Sequence, residues 1–140
     1  MWDSAYALGR ALTPIVFIVA GVQKFMNVAG ILNSAGTKTF WAMIASGAPP
    51  SWLGYLIAAV EVIGGVMILI GYKTRCAALV LIGFTVAATL LAHNWWAMEG
   101  AARMANITQA NKNLAIIGAL LMIAAIGAGR YSVDSRNSSS

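Results

Sequence analysis

The sequence predicts an all-α protein: a bundle of four transmembrane helices with a short interfacial helix in its first outer connection. Three observations carry that prediction. Hydrophobic residues make up 60% of the 140 residues and charged residues only 9%, against about 25% charged in a typical globular protein. A chain this short has too little interior to hide so much apolar surface, so lipid must cover it. Four apolar runs are each long enough to cross the hydrocarbon as helix, which takes about 20 residues. Trp and Tyr fall at the ends of those runs, where the membrane–water interface favours amphipathic rings.

The first span runs from about Tyr6 to Asn27 around "LTPIVFIVAGV". Pro14 lies in its early part, where neighbouring helices can satisfy the carbonyl that a proline frees. Asp3 precedes Arg10 and no small-x-small cleavage site closes the run, so it reads as a retained membrane helix rather than a signal peptide. In the first connection, Val28 to Pro50, "TKTFWAMIASG" spaces Phe40, Trp41 and Ile44 as one face of a short helix lying in the outer interface. Ala48-Pro49-Pro50-Ser51 ends that connection, and the serine suits the cap of the second span, Trp52 to Ile70. Gly71 to Arg75 forms a tight turn into the third span, Arg75 to Ala92. The third connection, "HNWWAMEGAARMANITQANKN", is long and polar and reads as a loop before the fourth span, Gln109 to Ala128. Residues 1–130 form the four-helix membrane domain; residues 131–140 are a polar tail expected to fray.

Strict alternation of direction sorts the aromatics. One interface receives Trp2, Tyr6, Tyr72 and Tyr131; the other receives Trp41, Trp52, Tyr55, Trp95 and Trp96. Lysines and arginines divide five against four, but Lys73 and Arg75 sit at helix ends in a short turn, where charge weighs most. Both termini are therefore expected in the cytoplasm. The net charge of +5 is scattered between the spans rather than gathered in a patch. That argues against nucleic acid and points to anionic lipid headgroups. The lone Cys76 excludes an intramolecular disulfide and a metal site built on cysteines.

Glu61 stands out. It lies about nine residues into the second span, near the bilayer midplane. A carboxylate at that depth costs at least about 2.5–3.5 kcal/mol, so it should face protein or water. Ala58, Gly64 and Gly65 flank it on the helix and admit a close neighbour. Gln23 and Lys24, His93 and Asn94, and Lys112 and Asn113 all belong to the same outer half, and Thr85, Thr89 and His93 form a polar stripe down the third span. The Lys24 stem is long enough to reach toward Glu61. Each residue also has a plainer role. Glu61 can clamp helices, Lys24 and Lys112 can snorkel to headgroups, and His93 can cap its helix. The threonines can bond back to their own backbone, and Trp95 and Trp96 can sit in the aromatic belt.

The chain resembles the DoxX family along nearly its whole length. The resemblance rests on "GRALTPIVFIVAGVQKF", "GAPP", "VEVIGGVMILIGYKTRCAAL", "FTVAATLLAHNWW", "KNLAIIGALLM" and "GAGRYSVD" in that order. "HNWW" stands where a His-x-Phe-Trp form is expected. The resemblance implies a four-helix protein of a bacterial inner membrane tied to quinone-linked respiration, with polar positions corresponding to Lys24, Glu61, His93, Asn94, Lys112 and Asn113.

Two readings of function follow. In the first the chain is a redox membrane subunit: Glu61 and His93 move protons, while Gln23, Lys24, Asn94, Lys112 and Asn113 hold a quinone headgroup. A single histidine and a single cysteine leave no haem pair or iron–sulfur ligand set, and neither a flavin fingerprint nor a metal site is expected. Electrons would then come from a membrane or soluble redox partner, and a homo-oligomer is compatible with the sequence. In the second the chain is a non-catalytic accessory or scaffold subunit of a larger complex, with Glu61 fixing helix register. A solute carrier is weaker, because the spans show no inverted repeat.

Overall fold

The computed structural model describes residues 2–137. Met1 and the last three positions of the polar tail, residues 138–140, lie outside the described residues.

Four helices are long and apolar enough to cross a membrane, and no strand occurs among the described residues. The first span is two helices on one course, α1 (Trp2–Leu12) and α2 (Ile15–Met26), joined through Thr13 and Pro14. The proline nitrogen donates no hydrogen bond. Its carbonyl accepts from both Phe17 N–H and Ile18 N–H, which restarts the helix. The first connection folds as two short helices rather than one, α3 (Val28–Asn33) and α4 (Ala35–Ile44). Asn27 and Ser34 cap them, their side-chain oxygens accepting from Gly30 N–H and Thr37 N–H. The second and third spans are α5 (Ser51–Ile70) and α6 (Thr74–Ala92).

The fourth span departs from expectation. A 3₁₀ turn at Trp95–Ala97 leads almost directly into α7 (Gly100–Ile126), so most of the polar third connection is helix. "GAARMANITQ" is rich in good helix formers, and the polarity reflects a helix end outside the hydrocarbon rather than a loop. At 27 residues α7 is about 40 Å long, beyond the roughly 30 Å of the hydrocarbon core.

Neighbouring spans pack in the order α2 on α5, α5 on α6 and α6 on α7, while α3 rests on α5 and α4 on α6 across the far end. Close approach of α2 and α5 depends on glycine. A Cβ at Gly21 would lie 2.6 Å from Val62 Cγ2 and 2.9 Å from the Ala58 carbonyl oxygen. The buried apolar core, Phe17, Ile68, Ala77, Ala78, Leu81, Leu120 and Ile123, lies toward the end that carries the termini. Most other large apolar side chains face outward, as a lipid-solvated bundle requires.

The polar tail does not hang free. Residues 131–137 turn back onto the bundle and end in α8 (Val133–Asn137). The tail is held because two helix ends need it. Helix α5 closes in a Schellman turn, with Gly71 left-handed at φ 74° and Tyr72 N–H bonded to the Met67 carbonyl. Its last carbonyls, those of Ile68 and Leu69, accept from the Arg10 guanidinium, which also donates to the Tyr131 carbonyl at 2.7 Å. The residue before helix α6 is Lys73, whose side chain offers no acceptor to cap it. Asp134 serves instead, accepting from Lys73 N–H at 2.8 Å and Thr74 N–H at 3.1 Å. Burial alone would raise the Asp134 carboxyl, but these hydrogen bonds, the Thr74 hydroxyl and the charge of Arg10 outweigh it and hold it below the usual carboxylate range. Tyr6 Oη–H donates to the Gly127 carbonyl, and Asp3 faces Arg130 at 3.6 Å, so both termini lie at this one end.

Candidate functional site

In the half of the bundle away from the termini the spans enclose a cavity of about 390 Å³. Helical spacing brings its walls together. Phe17, Ala20 and Lys24 form one stripe of α2; Ile57 and Glu61 face it from α5; Gln109, Asn113 and Ile116 form a stripe of α7. Helix α6 contributes Phe84, Thr85, Ala88, Ala92 and His93, and α4 roofs the space with Gly36, Thr37 and Phe40.

Glu61 is only 4% exposed. Lys24 Nζ donates to both of its oxygens, at 2.6 Å to Oε1. The ammonium also stands 5.9 Å from the centre of the Phe84 ring, an additional attraction of cation for π face. The pair is the physical reason an acid can sit at this depth: neither charge is left alone in a low dielectric. Because the charges cancel, the pair presents hydrogen-bonding capacity without net charge.

A second polar group lines the opposite wall. Gln109 Nε2 donates to Asn113 Oδ1, Asn113 Nδ2 donates to Thr89 Oγ1 at 2.8 Å, and the Thr89 and Thr85 hydroxyls donate to the carbonyls of Thr85 and Leu81. The threonines therefore bond back to their own helix, and Thr89 also ties α6 to α7. His93 Nδ1 lies 2.8 Å from Asn106 Oδ1. The Asn106 amide nitrogen donates to the Ala102 carbonyl, which fixes the amide orientation and makes His93 Nδ1 the donor. A neutral His93 then keeps Nε2 as an acceptor.

The sequence-predicted residues divide. Glu61, Lys24, His93 and Asn113 all line the cavity. Gln23 and Lys112 are exposed on the outer faces of their helices, and Asn94 lies past the end of α6, off the cavity wall. Trp95 and Trp96 stack edge to face with each other outside it. Asn106 falls in a segment that the sequence reads as loop, and Gln109 at the very start of the fourth span; on the longer helix α7 they lie seven and four residues before Asn113, on its face. No cluster of three or more His, Cys, Asp or Glu suited to a metal ion occurs among the described residues.

Comparison with known proteins agrees with this architecture. The family model described as DoxX matches residues 5–94. The chain is similar to inner membrane protein YphA of Escherichia coli (strain K12), at 33% identity over 92% of this chain and 87% of that one. It is similar to inner membrane protein YqjF of the same organism, at 39% identity over 94% of this chain and 91% of that one. A shorter match, 37% identical over 59% of this chain and 51% of the other, is to the Bacillus subtilis (strain 168) protein named "Putative oxidoreductase CatD". No solved structure matches the chain. Four apolar spans, both termini at one end and relatives along nearly the full length lead to one conclusion: the chain belongs to the DoxX family and is a multi-pass protein of the inner membrane.

Proposed function

We propose that the chain is a membrane subunit of quinone-linked redox chemistry, with the quinone ring held in the cavity beside Lys24 and Glu61. The observation that carries this reading is a neutralised ion pair and a histidine acceptor facing one apolar space. Its volume, about 390 Å³, lies within the roughly 300–1,000 Å³ of small-molecule sites. A quinone supplies two-electron, two-proton chemistry when bound. The fit is in the donors and acceptors. The Lys24 ammonium has three N–H groups, and two acceptor oxygens on Glu61 leave one for a ligand carbonyl. His93 Nε2 can accept a proton from a ring hydroxyl, and Asn106 keeps the imidazole in the tautomer that allows it. Apolar walls keep water from competing for these contacts. The sequence has one histidine and one cysteine, so electrons come from a partner protein. The name of the Bacillus relative supports an oxidoreductase role for the family member it describes. We place both termini in the cytoplasm, on the strength of Lys73 and Arg75 at the short turn.

The test is a titration of the purified chain with a short-chain quinone, followed by tryptophan quenching, in wild type and Glu61→Gln. Saturable quenching that weakens severalfold in Glu61→Gln supports the redox site. Absent binding, with the same substitution disrupting a larger complex instead, makes the chain an accessory subunit.

A further inference from the structure

The four-span ring is not closed all the way along. At the end that carries the termini the first and last spans are tied together, Tyr6 to the Gly127 carbonyl and Asp3 to Arg130. Toward the other end each span packs on the next, from α2 through α5 and α6 to α7, but no comparable packing joins α7 back to α2. Yet α2 and α7 both line the cavity. The flanks of this gap are apolar: Val16, 46% exposed, and Ala20 on α2, and Ile116 on α7.

The roof is built the other way. Gly36 of α4 packs directly on Ala92, where a Cβ would come within 2.7 Å. Thr37 is buried, and the Ser34 hydroxyl is bonded to the Ile31 carbonyl and to Thr37 Oγ1. On the cavity side the Ser34 and Thr37 oxygens are turned on one another. Helix α4 lies over the cavity on the side of the far interface, while the side facing hydrocarbon is flanked by side chains that hydrocarbon wets.

We infer that the cavity is loaded sideways from the bilayer, through the gap between α2 and α7, by an uncharged ring-sized headgroup carried on a hydrocarbon chain. The absence of net charge on the Lys24–Glu61 pair selects a neutral head: a charged one would have to break the pair or enter unpaired. The apolar flanks select the chain, which stays in the leaflet opposite the termini while the head reaches the polar wall. This rests on the reading of the cavity as a binding site, and it adds the route and the two-part chemistry of the ligand.

Two photoreactive probes separate the route from the site. Both are short-chain alkyl quinones; one carries a diazirine on the ring, the other at the far end of the chain. The full-length protein is placed in lipid nanodiscs and labelled with each, with and without excess unlabelled quinone, and the modified peptides are mapped. The expected result is competable ring label around Lys24 and Phe84, and competable chain label on the α2 and α7 flanks near Val16 and Ile116, severalfold above α3 and α4. Ring label in the cavity with chain label on the α4 roof overturns the sideways route and leaves the quinone site standing. Label that unlabelled quinone does not displace, from either probe, overturns the site and the route together.

Discussion

At the end that carries the termini, Arg10 donates to three backbone carbonyls and Asp134 accepts from two backbone N–H groups. At the far end Lys24 and Glu61 face each other beside open space. Both clusters bury charge, and by residue type alone they look alike. The difference lies in the partner. Charge directed at helix ends satisfies groups that have no helical partner, so those residues are stitching. Charge directed at other charge, along a cavity wall, retains hydrogen-bonding capacity for something else. A buried ionisable residue in a membrane bundle is therefore classified by what it is bonded to, more than by its depth.

Substitutions can break this contrast or sharpen it. The largest effect is expected at Arg10. Arg10→Met keeps the apolar stem but removes the guanidinium hydrogen bonds to the carbonyls of Ile68, Leu69 and Tyr131, and should cost about 3 kcal/mol. Thermal unfolding in detergent measures it, and the folded remainder should keep the proposed quinone binding. A variant that melts like wild type would place Arg10 outside the stitching. Next comes the ion pair. Lys24→Met and Glu61→Gln each leave a charge or a buried polar group unmatched and should cost about 2 kcal/mol, less than a fully buried pair because the Lys24 side chain is 25% exposed. The double variant should fall well short of the sum of the two losses, while the proposed quinone binding weakens severalfold in all three. Strict additivity would separate Lys24 from Glu61 energetically.

The smallest effect is at Asp134. Asp134→Asn weakens the cap of α6 by about 1 kcal/mol. Its pH dependence has a definite sign. The folded carboxyl lies below its ordinary value of about 3.9, held there by hydrogen bonds that outweigh burial. The stabilisation is therefore complete above that ordinary value and is lost as pH falls through the lower, folded one. Melting temperatures of wild type and Asp134→Asn should converge as pH drops from about 6 toward 3, reaching their closest approach below the ordinary range. A constant difference would remove the carboxylate from the interaction.

Much of the bundle was readable from residue order. Length and hydropathy located the four spans because lipid imposes one rule on all of them. Glu61, Lys24, His93 and Asn113 were identifiable as a group because alternation of direction assigns polar residues to one half or the other. What escaped was set by long-range contact. Arg10 looked like an interfacial charge, since nothing near it in sequence indicates that carbonyls 58 and 121 residues away will meet it. The tail looked free because its partner is a helix start some 60 residues earlier. The opening of α7 looked like loop because polarity was read as irregularity, although a helix that outruns the hydrocarbon is polar for the same reason a loop is. Gln23 and Lys112 sat at the right depth but on the wrong side of their helices, since depth fixes position along the axis and not rotation about it.

The tie between Arg10 and the Tyr131 carbonyl also dictates an order of events. The arginine enters the membrane with α1, and one of its acceptors emerges only after the three later spans have been made. Until the second span brings the Ile68 and Leu69 carbonyls, its guanidinium must be sheltered by water, by headgroups or by the insertion machinery. That end of the bundle is therefore completed late, and a nascent chain stalled before Tyr131 would hold an arginine with two of its three acceptors in place and the third still to come.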